Sequence, residues 1–204
     1  MNLYREKLVD LQSNIRLIHA LPTAGPVDAY ANGQLIAKNL MFGKYTDYLP
    51  LDSGSYEIQL YPSGLYDDPI LSKTFNFLPK TLSTISIITL SNNIDLFLLA
   101  DSSTGSISNS FVRFINLSPT APLLTLALAN DASIFSNVEY VETTGYYPLS
   151  PGFYNFRVIF SSAQVVSKFI RQLQLINGKF YTIYIIGLLT GTPQLGYLVL
   201  DDGI

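Results

Sequence analysis

Hydrophobic and polar positions alternate with a period of two along much of this chain. In "YEIQLY", Tyr56, Ile58 and Leu60 fall on one side and Glu57 and Gln59 on the other; in "YNFRVIF", Tyr154, Phe156, Val158 and Phe160 oppose Asn155 and Arg157. A pleated strand sends successive side chains to opposite faces, so the pattern predicts half-buried antiparallel strands. Runs rich in Ile, Val, Thr, Tyr and Phe recur between turn signals such as "ANG" at 31–33, "DSGS" at 52–55, "SPG" at 150–152 and "ING" at 176–178. About seven such runs in each half of the chain predict β-sandwiches. The beginning differs: Leu3, Tyr4, Leu8 and Leu11 share one side of a helical wheel. Residues 1–14 are therefore expected to form a short amphipathic helix, docked on its own sandwich or on a neighbouring subunit.

The pattern is written twice. Ile15–Ala24 aligns with Val112–Ala121, "YLPLDSGSYEIQL" from Tyr48 with "YYPLSPGFYNFRV" from Tyr146, and "TISIITL" from Thr84 with "TIYIIGL" from Thr182. Three blocks in one order at nearly constant spacing indicate a duplication. The expected organisation is an N-terminal segment over 1–14, a first sandwich over 15–103, a Ser/Gly linker over 104–110 and a second sandwich over 111–204. The fold class expected is all-β: two tandem immunoglobulin-like antiparallel β-sandwich domains after a short N-terminal helix.

Two features of the repeat have structural readings. Leu51-x-x-Gly54-x-Tyr56 and its copy ending in Tyr154 have the spacing of a tyrosine corner, in which the phenol bonds back to main chain. The single histidine, His19, ends the apolar row Ile15, Leu17, His19 before a Pro-Thr-Ala turn, and Asn116 holds the equivalent place. Histidine and asparagine share the ability to hydrogen-bond a turn, but not basicity near neutral pH. The shared role expected of His19 and Asn116 is to lock their turns.

Composition narrows the chemistry. The chain is 48% hydrophobic and 13% charged with a formal charge of −3, against roughly 25% charged residues in ordinary soluble domains. No basic stripe is available to neutralise a phosphate backbone, so no nucleic-acid partner is expected. Cysteine is absent and histidine single, which excludes thiolate chemistry and a His/Cys zinc centre within one chain. No phosphate loop or nucleophile elbow occurs. Asp67, Asp68, Asp101, Asp201 and Asp202 sit in turn-like or terminal positions and read as solvated acids. No catalytic residue, metal or cofactor is expected, and the chain reads as a non-enzyme. It shows no apolar run long enough to insert in a membrane and no export signal. Tyr45, Tyr48, Tyr61, Tyr66, Tyr140, Tyr146 and Tyr147 lie near turns and are a candidate binding surface, since aromatics at loop tips stack on sugars or form protein contacts.

Arg16, His19, Ala20, Pro22, Ala24, Val27, Asp28, Tyr30, Asn32, Gly33, Leu51, Gly54 and Tyr56 together resemble the motif of the bacterial domain of unknown function 4397. The second half resembles it more loosely, with Asn116 in place of the histidine and "LLTL" in place of the Val-Asp-x-Tyr strand. The resemblance implies a β-sandwich of bacterial cell surfaces and, for a chain without a leader, a spore surface; it implies no catalytic residues. The function expected is a non-catalytic structural or adhesive surface protein that associates with itself or with another envelope or spore-surface protein. The alternative is a carbohydrate-binding module using the loop tyrosines, and a carboxylate-dependent glycosidase ranks third.

Overall fold

A computed structural model describes residues 11–106, 108–162 and 167–203. The chain divides into two compact units, Met1–Asp101 and Ser102–Ile204. The first contains β1 (Gln12–His19), β2 (Val27–Ala31), β3 (Gln34–Leu40), β4 (Leu49–Asp52), β5 (Gly54–Pro62), β6 (Leu71–Phe77), β7 (Leu82–Leu90) and β8 (Asn93–Asp101). The second contains β9 (Ser110–Asn116), β10 (Leu124–Leu128), β11 (Ser133–Val138), β12 (Tyr147–Leu149), β13 (Gly152–Phe160), β14 (Lys168–Leu175), β15 (Phe180–Ile186) and β16 (Gly196–Asp201). No helix occurs among the described residues.

Each unit stacks two four-stranded sheets. Their orders are β4-β1-β7-β8 and β3-β2-β5-β6 in the first, and β12-β9-β15-β16 and β11-β10-β13-β14 in the second. Taken in chain order, every strand of one unit has its counterpart at the same place in the other. The inner faces meet in a core that includes Ile15, Leu17, Ile58, Leu60, Ile85 and Ile87 in the first unit. Val112, Phe114, Leu126, Phe156, Val158 and Ile183 occupy the same layer in the second. Each such side chain contributes about 1.5–3 kcal/mol by leaving water. The β2–β3 hairpin turns on Asn32 and Gly33, both at positive φ (47° and 79°), the backbone a tight two-residue hairpin requires.

Several sequence expectations are corrected. The sandwiches are not wholly antiparallel, because β1 pairs β7 and β9 pairs β15 in parallel. That pairing needs a long crossover, and strands β2–β6 (or β10–β14) provide it. Each unit has eight strands rather than about seven, and β15 is buried on both faces instead of alternating, as are Leu82–Ile88 of β7. At the start, Gln12–Asn14 are strand, not helix, because they pair with Asp52–Pro50 of β4. Leu11 is a turn residue, and the rest of the expected helix, residues 1–10, lies outside the described residues. At the linker, Ser110 is already the buried first residue of β9, opposite Leu149.

Candidate functional site

His19 closes β1 and is fully buried. Its Nε2 lies 3.1 Å from the carbonyl oxygen of Gly25, on the far side of the Pro-Thr-Ala turn, and the edge of Phe42 faces its ring. Burial holds its pKa below the usual 6.5, outweighing the bond to Gly25, which acts the other way. A neutral ring that donates through Nε2 leaves Nδ1 as acceptor, and Nδ1 is buried without a hydrogen-bond partner. Asn116 occupies the same place at the end of β9. Its Oδ1 accepts from the amide of Ser118 at 3.0 Å, while Nδ2 is buried and unpartnered. Both side chains reach main chain of their own turn.

Sequence reasoning did not single out Arg16 and Arg113 as site residues; they lie three positions back on the same strands. Arg16 points away from Ile15 and Leu17, and the β1/β7 register sets it beside Thr84. Its Nε donates to Thr84 Oγ1 at 2.8 Å. The Thr84 hydroxyl in turn donates to Asp101 Oδ2 at 2.5 Å, and Tyr48 donates to the same oxygen at 2.8 Å. The Tyr48 ring covers the guanidinium at 4.7 Å, a cation–π contact. The second unit repeats every element of this cluster. Arg113 Nε donates to Thr182 Oγ1 at 2.9 Å, and Thr182 donates to Asp202 Oδ2. Tyr146 donates to Asp202 Oδ2 at 2.8 Å, its ring lies 4.5 Å from Arg113, and Arg113 Nη2 faces Asp202 at 3.6 Å.

Arg16 and Arg113 are 3% and 2% exposed and Asp202 is fully buried. A guanidinium that deep is tolerated only beside a carboxylate with further hydrogen bonds. Asp101 and Asp202 are thus corrected from solvated acids to the anionic partners of these clusters. Tyr48 and Tyr146 are corrected from binding-surface candidates, since ring and hydroxyl are both engaged within the fold. The signal was present in the sequence: an arginine between two core positions of a strand, in both copies, needs a buried counter-charge.

The corner residues differ between units. Tyr154 donates to the carbonyl of Ser150 at 2.8 Å, and Gly152 before it has φ 155°. The Tyr56 ring packs on Phe77 at 5.9 Å, but its hydroxyl makes no hydrogen bond among the described residues, so the corner expected there is not closed. β12 ends at Leu149, leaving the Ser150 carbonyl beyond the ladder, whereas the equivalent Asp52 still pairs with Gln12 of β1.

Of the remaining tyrosines, Tyr45, Tyr66 and Tyr147 are exposed, and Tyr61 and Tyr140 are half-buried. Tyr61 and Tyr66 form an edge-on cluster with Tyr30, and Tyr147 meets Phe135. Tyr66 is held by a buried acid that sequence reasoning did not single out as a site. Asp28 accepts from the Asn39 amide at 2.6 Å, the Tyr66 hydroxyl at 2.9 Å, the Ser63 hydroxyl at 3.0 Å and the Gly64 amide at 3.3 Å. Burial pushes its pKa up, but the four donors together carry it below 3.8. The same bond pushes the Tyr66 phenol up to about 12.

A concavity of about 430 Å³ in the second unit is lined by residues that include Phe160, Lys168, Leu189, Thr190, Gln194 and Leu195. Among the described residues, no group of three or more His, Asp or Glu is placed to hold a metal ion, and no helix is long and apolar enough to cross a membrane.

The family model described as "Domain of unknown function (DUF4397)" matches residues 13–127 and again residues 110–203. No curated protein matches the chain. Among solved structures, the chain is similar to a "Putative cell adhesion protein from Parabacteroides distasonis ATCC 8503", at 7% identity, covering 94% of this chain and 99% of that one with a TM-score of 0.23.

Proposed function

Because the chain belongs to the family of the domain of unknown function DUF4397, whose model matches it twice in tandem, we propose that it is a non-catalytic structural or adhesive protein of a cell or spore surface. In this reading two immunoglobulin-like sandwiches serve as rigid modules that associate with copies of themselves or with another envelope protein. The observation that carries it is the duplication of the buried Arg–Thr–Asp–Tyr cluster. Both copies use their scarce charges to fasten three strands and the approach to a fourth. An active site has no need to occur identically in both halves of a duplicated chain, whereas a fastening does. A surface with few charges adds support, because it lowers the repulsion that keeps proteins apart.

Sedimentation of the full chain at several concentrations tests this reading, together with electron microscopy of concentrated protein. A mass that rises with concentration, or ordered assemblies in the images, is the expected result. A strictly monomeric protein that also fails to bind cell envelopes refutes it.

The exposed rings of Tyr45, Tyr66 and Tyr147 favour a second reading, a carbohydrate-binding module. Glycan-array binding that disappears on changing these three tyrosines to alanine is its expected signature.

A further inference from the structure

The outward face of the β13–β14 ladder differs in character from its counterpart in the first unit. Phe153 is 72% exposed and Phe169 is 47% exposed, with Phe153 opposite Gln174 and Phe169 opposite Arg157 in the register. On the β5–β6 ladder the equivalent positions are Ser55, opposite Asn76, and Ser72, opposite Gln59. The Ser72 hydroxyl there bonds Glu57 at 2.5 Å, so that face is polar and satisfied. The same architecture therefore stands with serine at both places, and nothing in the fold requires the two phenyl rings. Large apolar groups held in water on a regular sheet mark a surface that is covered in the working assembly. One cation belongs to the same face. Arg171 is exposed, lies over the Phe169 ring at 5.8 Å, and forms no ion pair among the described residues.

The first unit carries a surface of opposite charge on the 63–70 loop between β5 and β6. Leu65, Tyr66 and Ile70 are 59%, 53% and 40% exposed. Asp67 and Asp68 beside them are exposed, and neither has an ion-pair partner among the described residues. The fully buried Asp28 fixes this tip through Ser63, Gly64 and Tyr66, so presenting it costs little ordering on contact.

We infer that the face formed by Phe153, Phe169 and Arg171 in one copy docks on the Leu65–Ile70 tip of a second copy of this chain. Aromatic rings meet aliphatic and phenolic groups, and the guanidinium of Arg171 meets the carboxylates of Asp67 and Asp68, none of them ion-paired among the described residues. This rests on the self-association proposed above and names its interface. Face and tip are different surfaces, so the contact is heterologous. Each copy in a pair keeps one free face or one free tip, and growth continues into a filament or closes as a ring.

The test uses sedimentation velocity of the full-length chain at low and physiological salt. Wild-type protein is expected to associate, less so as salt screens the charges. Phe153→Ser with Phe169→Ser, which installs the residues found at positions 55 and 72 of the first unit, is expected to shift the association midpoint by at least about tenfold. Arg171→Glu reverses the free charge of the face, and Asp67→Lys with Asp68→Lys makes the tip basic. Each variant alone is expected to stay monomeric, while an equimolar mixture assembles by strict alternation.

If these variants associate like wild type, the interface is wrong and self-association stands. If the mixture stays dispersed although both proteins show native circular dichroism, the pairing of face with tip is refuted. A wild-type chain that is monomeric throughout refutes both, as does a monomer that instead binds anionic glycans through the two phenylalanines.

Discussion

Replacing Asp202 by asparagine leaves the shape of the second unit's cluster and removes its anion. Asp202 is fully buried and Arg113 is 2% exposed, so the remaining guanidinium cannot be rescued by water. Breaking a buried pair by removing one member costs about 3–5 kcal/mol. Here Oδ2 also receives the hydroxyls of Tyr146 and Thr182, and hydrogen bonds to a charged group contribute about 1.5–3 kcal/mol each. Asp202→Asn is thus expected near the upper end of the range.

Arg113→Met leaves a carboxylate that keeps both hydroxyl donors, so a loss of about 3 kcal/mol is expected. The double variant should cost at least about 2 kcal/mol less than the sum, since the second change removes the orphan left by the first. Asp101→Asn leaves the Arg16 guanidinium, 3% exposed, equally without its counter-charge, so a loss in the same range of about 3–5 kcal/mol is expected in the first unit.

Urea unfolding followed by far-ultraviolet circular dichroism and tyrosine fluorescence supplies the free energies, the chain having no tryptophan. Amide hydrogen exchange of β9 and β15 locates the loss in the second unit. Additive single and double effects, or an Asp202→Asn change within about 0.5 kcal/mol of wild type, would refute the claim that these groups act as one desolvated unit.

Two further outcomes follow from single side chains. The pKa of His19 is lowered from 6.5 by folding, so below that pH the unfolded chain binds the extra proton. Stability should then fall as pH drops from about 6.5 toward the folded value, by up to about 1.4 kcal/mol per pH unit. His19→Asn, the residue the second unit uses, should abolish that slope in urea midpoints measured between pH 8 and pH 5; an unchanged slope would assign it to other groups. Tyr154→Phe should cost about 0.5–1.5 kcal/mol through the bond to Ser150, whereas Tyr56→Phe, with no such bond, should stay within about 0.5 kcal/mol in the same unfolding assay.

The duplication and the strands were legible because period-two burial and turn residues are local properties, repeated at Tyr56 and Tyr154 and around Asn32-Gly33. Strand partners were not, because alternation states which face is buried and says nothing of which strand lies alongside. β7 returns beside β1 in parallel only when the intervening strands have formed the other sheet. The acids were misread for the same reason. Asp101 and Asp202 stand at the ends of local patterns, and their partners Tyr48 and Tyr146 lie 53 and 56 positions away in sequence.

The amino-acid order alone set an all-β chain written twice, with a side chain at 19 and at 116 suited to bonding a turn. Folding decided which charges left water. Desolvation depends on everything packed around a group, so the anionic character of Asp202 in the interior exists only once β9, β15 and β16 lie side by side. Folding likewise left Phe153 and Phe169 outside the core, because the pleat aims them away from Phe156 and Val158 on the buried face.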